Sequence, residues 1–134
     1  MKGKIGLVTI LTDSITQMKR FYTEVLGFEV IEDLGNYVEF RSAGVRFAIC
    51  TREVMHDATD NRSYVEARRG QSFEPAFPVR GPDDVDRVYE EVVSKGAFAI
   101  KAPEMMPWGR KTAFIADSYG NIHEIYSYRP EEQV

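Results

Sequence analysis

One pattern, a strand followed by a helix and three more strands, is written twice along this chain, and it constrains the fold more than any other feature. Residues 4–12 are apolar and β-branched and predict a strand. Ser14 is a good N-cap, and Gln17 three residues on completes a capping-box pattern. Ile15, Met18, Phe21, Tyr22, Val25 and Leu26 then recur at helical spacing as one apolar stripe. Gly27 stops the helix, since glycine tolerates the left-handed conformation after a last turn. Strands are expected at 28–33, 36–41 and 45–51, with Gly35-Asn36 and Ala43-Gly44 as turns. The order then recurs: a strand at 72–80, and a helix capped by Asp83 or Asp84 with Val85, Val88, Tyr89 and Val92 on its apolar face. Gly96 ends that helix, and strands are expected at 97–101, 111–117 and 122–128. Ser14 to Gly27 and Asp83 to Gly96 each span 13 positions.

Either βαβββ unit alone would leave a sheet face and a helix stripe in water, so the two should pack together. The fold class is therefore α+β. The 134 residues suit a single domain, 1–134, with repeat one at about 4–51 and repeat two at about 72–128. Residues 52–71 lie between them. They are polar, lack a clean period, and read as a mobile linker or a lid, to which Tyr64 and Val65 lend some apolar surface.

The net charge of −4 is the wrong sign for nucleic acid, because phosphate binding needs a dense basic face, and Arg68-Arg69 is the only adjacent arginine pair. Cys50 is the single cysteine, so no intrachain disulfide forms and a reducing cytoplasm is the expected setting. Its strand-like surroundings make it a small buried residue rather than a reactive thiol. No stretch approaches a membrane span, and Met1-Lys2-Gly3-Lys4-Ile5 lacks the apolar core of a signal peptide.

Two segments carry a resemblance. Phe21-Tyr22-Thr23-Glu24-Val25-Leu26-Gly27-Phe28 joins the end of the first helix to the next strand. Asp117-Ser118-Tyr119-Gly120-Asn121-Ile122-His123-Glu124-Ile125 is a turn feeding a strand that bears one inward carboxylate. With the Trp108-Gly109 turn between them, they are similar to the vicinal oxygen chelate superfamily, which includes glyoxalase I, bleomycin-resistance proteins and extradiol dioxygenases. The resemblance runs from Ile5 to Tyr128. It implies two βαβββ repeats forming curved half-barrel sheets around a shared cleft, and a homodimer that covers the open strand edges.

Metal-dependent members of that family place His, Glu or Gln at four cleft positions. Here the resemblance puts those positions on Leu7, near Ile49, on Glu74 and on Glu124. A shift of one residue would substitute Gly6, Val8, Ala48 or Cys50, and only Cys50 can ligate. Zinc, nickel or iron needs three or four donors, so the expectation is no metal and no cofactor. His123 faces away from Glu124 by strand alternation, and His56 is a solvated loop residue.

Alternation also groups Ile122, Glu124 and Tyr126, then Glu74, Ala76 and Pro78, then Leu7, Thr9 and Leu11. Such faces would make a largely apolar cleft with two carboxylates, as organic-ligand pockets are. Trp108, between Pro107 and Gly109, either borders that cleft or packs beneath its own loop, and Met105 and Met106 suit an adaptable wall. Two carboxylates in one apolar site do not both ionise easily, so they share a proton or attract a cation. The favoured reading is a protein that binds a flat organic ligand without chemistry, through Trp108, Leu7, Ile49, Glu74, Arg110, Glu124 and Tyr126. The alternative is a glyoxalase-like lyase or isomerase using Glu124 and Glu74 as acid and base or as metal ligands.

Overall fold

The computed structural model describes residues 1–132. Two units divide the chain, Met1–Arg69 and the stretch from Gly70 onward. In the first, β1 (Leu7–Thr12) leads into α1 (Ile15–Arg20), which continues as a π-helical turn over Phe21–Val25. Three strands follow: β2 (Val30–Asp33), β3 (Tyr37–Phe40) and β4 (Arg46–Thr51). They form an open sheet in the order β1-β4-β3-β2, with β1 parallel to β4 and the other pairs antiparallel. The second unit repeats this with β5 (Ala76–Val79), α3 (Pro82–Ser94), β6 (Phe98–Met105), β7 (Lys111–Ala116) and β8 (Ile122–Ser127). Its sheet order is β5-β8-β7-β6, the same permutation, again with the outer pair β5 and β8 parallel. The duplicated βαβββ order read from the sequence is thus the architecture of the protein.

α1 with its π-helical turn, and α3, each cover one face of their own sheet. In the first unit Tyr22 is fully buried and its ring meets Phe28, Phe40 and Phe47 at 6.0, 5.6 and 5.3 Å. Phe40 and Phe47 are register partners, so this cluster marks the helix-packed face. In the second unit Lys111 of β7 reaches Asp86 of α3, and Val85 and Val92 of that helix are buried. Lys111, Ala113 and Ile115 therefore face α3, as do their β8 partners Ile125 and His123.

Several local expectations are corrected. Ser14 stands at the start of α1 without a side-chain cap bond; instead its N–H donates to Thr12 Oγ1 at 3.0 Å. The second helix begins at Gly81 rather than at Asp83 or Asp84, and Asp84 Oδ2 accepts the Gly81 N–H at 3.1 Å. β5 is shorter than 72–80 and β6 longer than 97–101. Residues 52–71 are not structureless: α2 (Arg52–Thr59) starts at Thr51, whose Oγ1 accepts from the Val54 N–H, and a 3-10 turn spans Arg62–Tyr64. Arg52 ties the two together through the Ser63 and Glu66 carbonyls at 3.3 and 2.8 Å. Cys50 is buried, and burial pushes its thiol pKa up, which leaves it protonated and inert. Among the described residues no helix is long and apolar enough to cross a membrane.

Candidate functional site

The second sheet keeps a distinct face away from α3. Register places Phe114 beside Glu124, Thr112 beside Tyr126, and Ala76 and Pro78 on the same side from β5. Along β8 the pattern alternates: His123, Ile125 and Ser127 are buried, and Ile122, Glu124 and Tyr126 are partly open. On this face, which also takes Lys101 and Glu104 of β6 as the partners of Phe114 and Thr112, β8 thus presents one carboxyl group, as strand alternation requires.

Glu74 joins it from the segment before β5. That segment cannot extend the ladder as an ordinary strand, because Pro75 has no N–H. Gln71 replaces the missing bonds. Its side-chain amide donates to the Ile122 carbonyl at 3.0 Å and accepts the Ile122 N–H at 3.2 Å. The Pro75 carbonyl then accepts the Glu124 N–H at 3.0 Å. This clamp lays Glu74 alongside Glu124, and the two side chains are hydrogen-bonded. Burial, then that hydrogen bond, then the Glu74 charge push Glu124 up to about 7. Near neutral pH Glu124 therefore exchanges its proton readily, and when protonated it can donate to the neighbouring Glu74 carboxyl group. The pair can accept a cation, or it can pass a proton.

Trp108 lies in the hairpin loop between β6 and β7. That loop is closed by Met106 N–H to the Arg110 carbonyl and Gly109 N–H to the Met106 carbonyl, both at 2.9 Å. Gly109 takes φ +86°, which a side chain would resist. Trp108 is 50 % exposed, so it is not core beneath the loop. Arg110 is not directed at the carboxyl pair. Its Nη2 donates to Glu132 Oε2 at 2.7 Å, its Nη1 to the Ser127 carbonyl at 3.2 Å, and its guanidinium lies 5.2 Å from the Tyr126 ring centre. His123 is buried on the α3 side of β8 beside Asp117, with Phe77 edge-on at 5.4 Å, so it does not join Glu124.

In the first unit the sequence-based pairing of Leu7 with Ile49 fails. Leu7 pairs with Arg46, and Ile49 lies three residues further along β4, an odd number, so it projects from the opposite face. Ile49 is 0 % exposed and belongs to the helix-packed core with Phe47 and Val38. Leu7 shares its face with Arg46, Ala48 and Cys50 instead.

That face holds a group which the sequence reading missed. Glu39 is only 4 % exposed, yet it is fully satisfied. Arg46 donates to it through Nε at 2.9 Å and Nη2 at 2.6 Å, and the Tyr37 hydroxyl at 2.8 Å. The Arg46 and Tyr37 hydrogen bonds hold Glu39 down at about 2, so it stays ionised. The signal was an inward glutamate two places from a tyrosine, and the partner arginine becomes visible only once β3 and β4 are in register.

The donor set does not fit a transition metal. Leu7 and Ile49 offer no lone pair, and among the described residues no group of three or more His, Cys, Asp and Glu side chains is placed to hold an ion.

A family model described as Glyoxalase/Bleomycin resistance protein/Dioxygenase superfamily matches residues 4–125. No curated protein matches the sequence. Among solved structures, a glyoxalase/bleomycin resistance protein/dioxygenase from Nocardioides is 19% identical with a TM-score of 0.85, over 97% of this chain and 86% of that one. A family enzyme of the same description from Burkholderia phytofirmans PsJN is 24% identical with a TM-score of 0.83, over 93% and 98%. A lactoylglutathione lyase from Agrobacterium tumefaciens is 18% identical with a TM-score of 0.70, over 95% of each chain. At these identities the likeness establishes the fold alone.

Proposed function

The chain belongs to the glyoxalase/bleomycin resistance protein/dioxygenase superfamily, and from that premise we propose that it binds a flat organic ligand bearing positive charge, without a resident metal. The carboxyl pair carries this reading. Glu74 and Glu124 stand together on a sheet face beside Ala76, Pro78 and Phe114, where burial and Glu74 push Glu124 up to about 7. A desolvated negative charge flanked by Phe114 and Tyr126 suits a planar cation, which gains both charge and ring contact. Trp108 supplies an exposed aromatic anchor.

A titration of Trp108 fluorescence with cationic, neutral and anionic planar compounds tests it. The chain has one tryptophan, so the signal reports this loop alone. Cationic compounds should bind best. Trp108→Ala should weaken them by roughly 1–3 kcal/mol, judged by calorimetry. Glu124→Gln should weaken cations far more than neutral compounds. No response from any compound, or equal losses for both classes, would count against binding. Elemental analysis finding about one transition metal per chain would sink the metal-free part.

One observation favours a second reading. Glu124, pushed up to about 7 by burial and by Glu74 beside it, is poised for general acid–base work, which a lyase or isomerase acting next to a carbonyl needs. One structural relative is described as a lactoylglutathione lyase. Turnover of a 2-oxoaldehyde–thiol adduct that disappears in Glu124→Gln would establish this reading over sequestration.

A further inference from the structure

The C-terminal turn meets the Trp108 loop at two points. Arg129 Nη2 donates to the Trp108 carbonyl at 2.6 Å, and its guanidinium lies 3.9 Å from where a Cβ on Gly109 would sit. Glu132 links this contact to the second one. Its Oε2 takes the Arg110 guanidinium at 2.7 Å, and its Oε1 accepts the Arg129 backbone N–H at 3.0 Å. Arg110, so held, lies over Tyr126, two residues along β8 from Glu124. One carboxylate therefore binds the side chain of Arg110 and the backbone of Arg129, the two arginines that sit at either side of the Trp108 loop.

An isolated surface ion pair would mean little. This one is different in kind: both side chains are largely shielded, 20% and 34% exposed, and the carboxylate also fixes backbone. Its electrostatic consequence is local. Without Glu132, Arg110 would bring an uncompensated positive charge to the Tyr126 end of the carboxyl-bearing face and oppose a cationic ligand.

We propose that Glu132 is a specificity-determining and positioning residue of this face. It cancels the charge of Arg110 beside Tyr126, and through Arg129 it holds the Trp108 loop. The inference rests on reading the face as a ligand site, but its first test needs no ligand.

That test is collisional quenching of Trp108 by iodide, caesium and acrylamide in the ligand-free protein. In Glu132→Gln the ratio of iodide to caesium quenching should rise about twofold, because Arg110 loses its ion-pair partner beside the loop. Glu132→Asp should bring the ratio back, and so should adding Arg110→Gln to Glu132→Gln. Arg110→Gln alone should move it the other way, which keeps the test open if Glu132→Gln fails to fold. A loop that merely loosens would raise all three quenchers together and leave the ratio unchanged, and that result overturns the proposal. The second arm is the planar-compound panel. Glu132→Gln should lose the preference for cations over anions, and retention of the full preference overturns the specificity role. If the quenching ratio shifts as expected while the wild type binds nothing, the ligand reading falls and the role of Glu132 at the loop stands.

Discussion

A carboxyl group moved from water to an apolar surface holds its proton to higher pH. For Glu124 the folded value is about 7 against an ordinary 4.5, with burial as the first cause and Glu74 as the second. The consequence for stability has a definite sign. Between about 4.5 and 7 the native chain keeps a proton that the unfolded chain has lost, so stability falls as pH rises through that window. The cost is absent below it and complete above it. Glu124→Gln removes the cost, so the variant should match the wild type near about pH 4. Above about pH 8 it should be more stable by on the order of 1–2 kcal/mol, a figure reduced for solvent screening. Urea unfolding at both pH values checks this, and a variant no more stable than wild type at the higher pH would refute it. Glu39 behaves oppositely, because Arg46 and Tyr37 supply donors where Glu74 supplies a competing charge. That contrast marks the limit of what single residues reveal. Period-two alternation was enough to put Glu124 and Tyr126 on one face and His123 on the other. It could not show that Gln71 would clamp Glu74 in place, or that Glu39 would find Arg46, because both depend on pairing between strands distant in sequence.

At the scale of elements, caps and prolines decide the boundaries. α3 carries a working cap, with Asp84 accepting the Gly81 N–H beside the positive end of the helix dipole. α1 carries Ser14 at the N-cap itself, but no side-chain cap bond is made. Asp84→Ala should therefore cost about 1 kcal/mol, while Ser14→Ala should cost less than about 0.5 kcal/mol. Equal losses in urea denaturation would show that the two helix starts are energetically alike after all. Strand limits follow similar logic. β5 pairs only with β8, so Pro78 can sit in it with its missing N–H on the unpaired side. Pro75 keeps the strand from starting earlier in regular form. The helical stripe from Ile15 to Leu26 was legible, but the switch to a π-helical turn at Phe21 was not. A π-turn differs from an α-turn by one residue per hydrogen bond, and Tyr22 gains its place among Phe28, Phe40 and Phe47 there. Residues 52–59 were read as loop because their polarity hid the helical period, although Thr51 is a sound cap.

For the whole molecule, duplication was the most legible property, since matched helix spacings and glycine stops require no knowledge of long-range pairing. The same strand permutation in both sheets follows from it. Duplication also leaves each sheet open, with a terminal strand on either side. The ends differ in how well they are defended. β5 is short and contains Pro78, whereas β6 runs for eight residues, from Phe98 to Met105, and exposes Phe98, Ile100 and Met105. Lys101, Pro103 and the register shifts between Ala99 and Glu104 discourage another chain from adding a strand there. They do not cover the apolar side chains. Phe98 is 60 % exposed, Ile100 beside it is 49 % exposed, and large apolar side chains left in water on an edge strand are a usual mark of association. We therefore expect a homodimer in which a second copy buries the side chains of β6, rather than one built by continuing its hydrogen-bond ladder. Light scattering at micromolar concentration should give twice the monomer mass, and the dimer should persist at high salt because apolar burial is not screened. Replacing Phe98 with Asp and Ile100 with Glu should yield a monomer with unchanged circular dichroism, since both positions already face water in the single chain. A wild-type protein that is monomeric at those concentrations would remove the claim. A double variant that remains a dimer would place the interface on another surface.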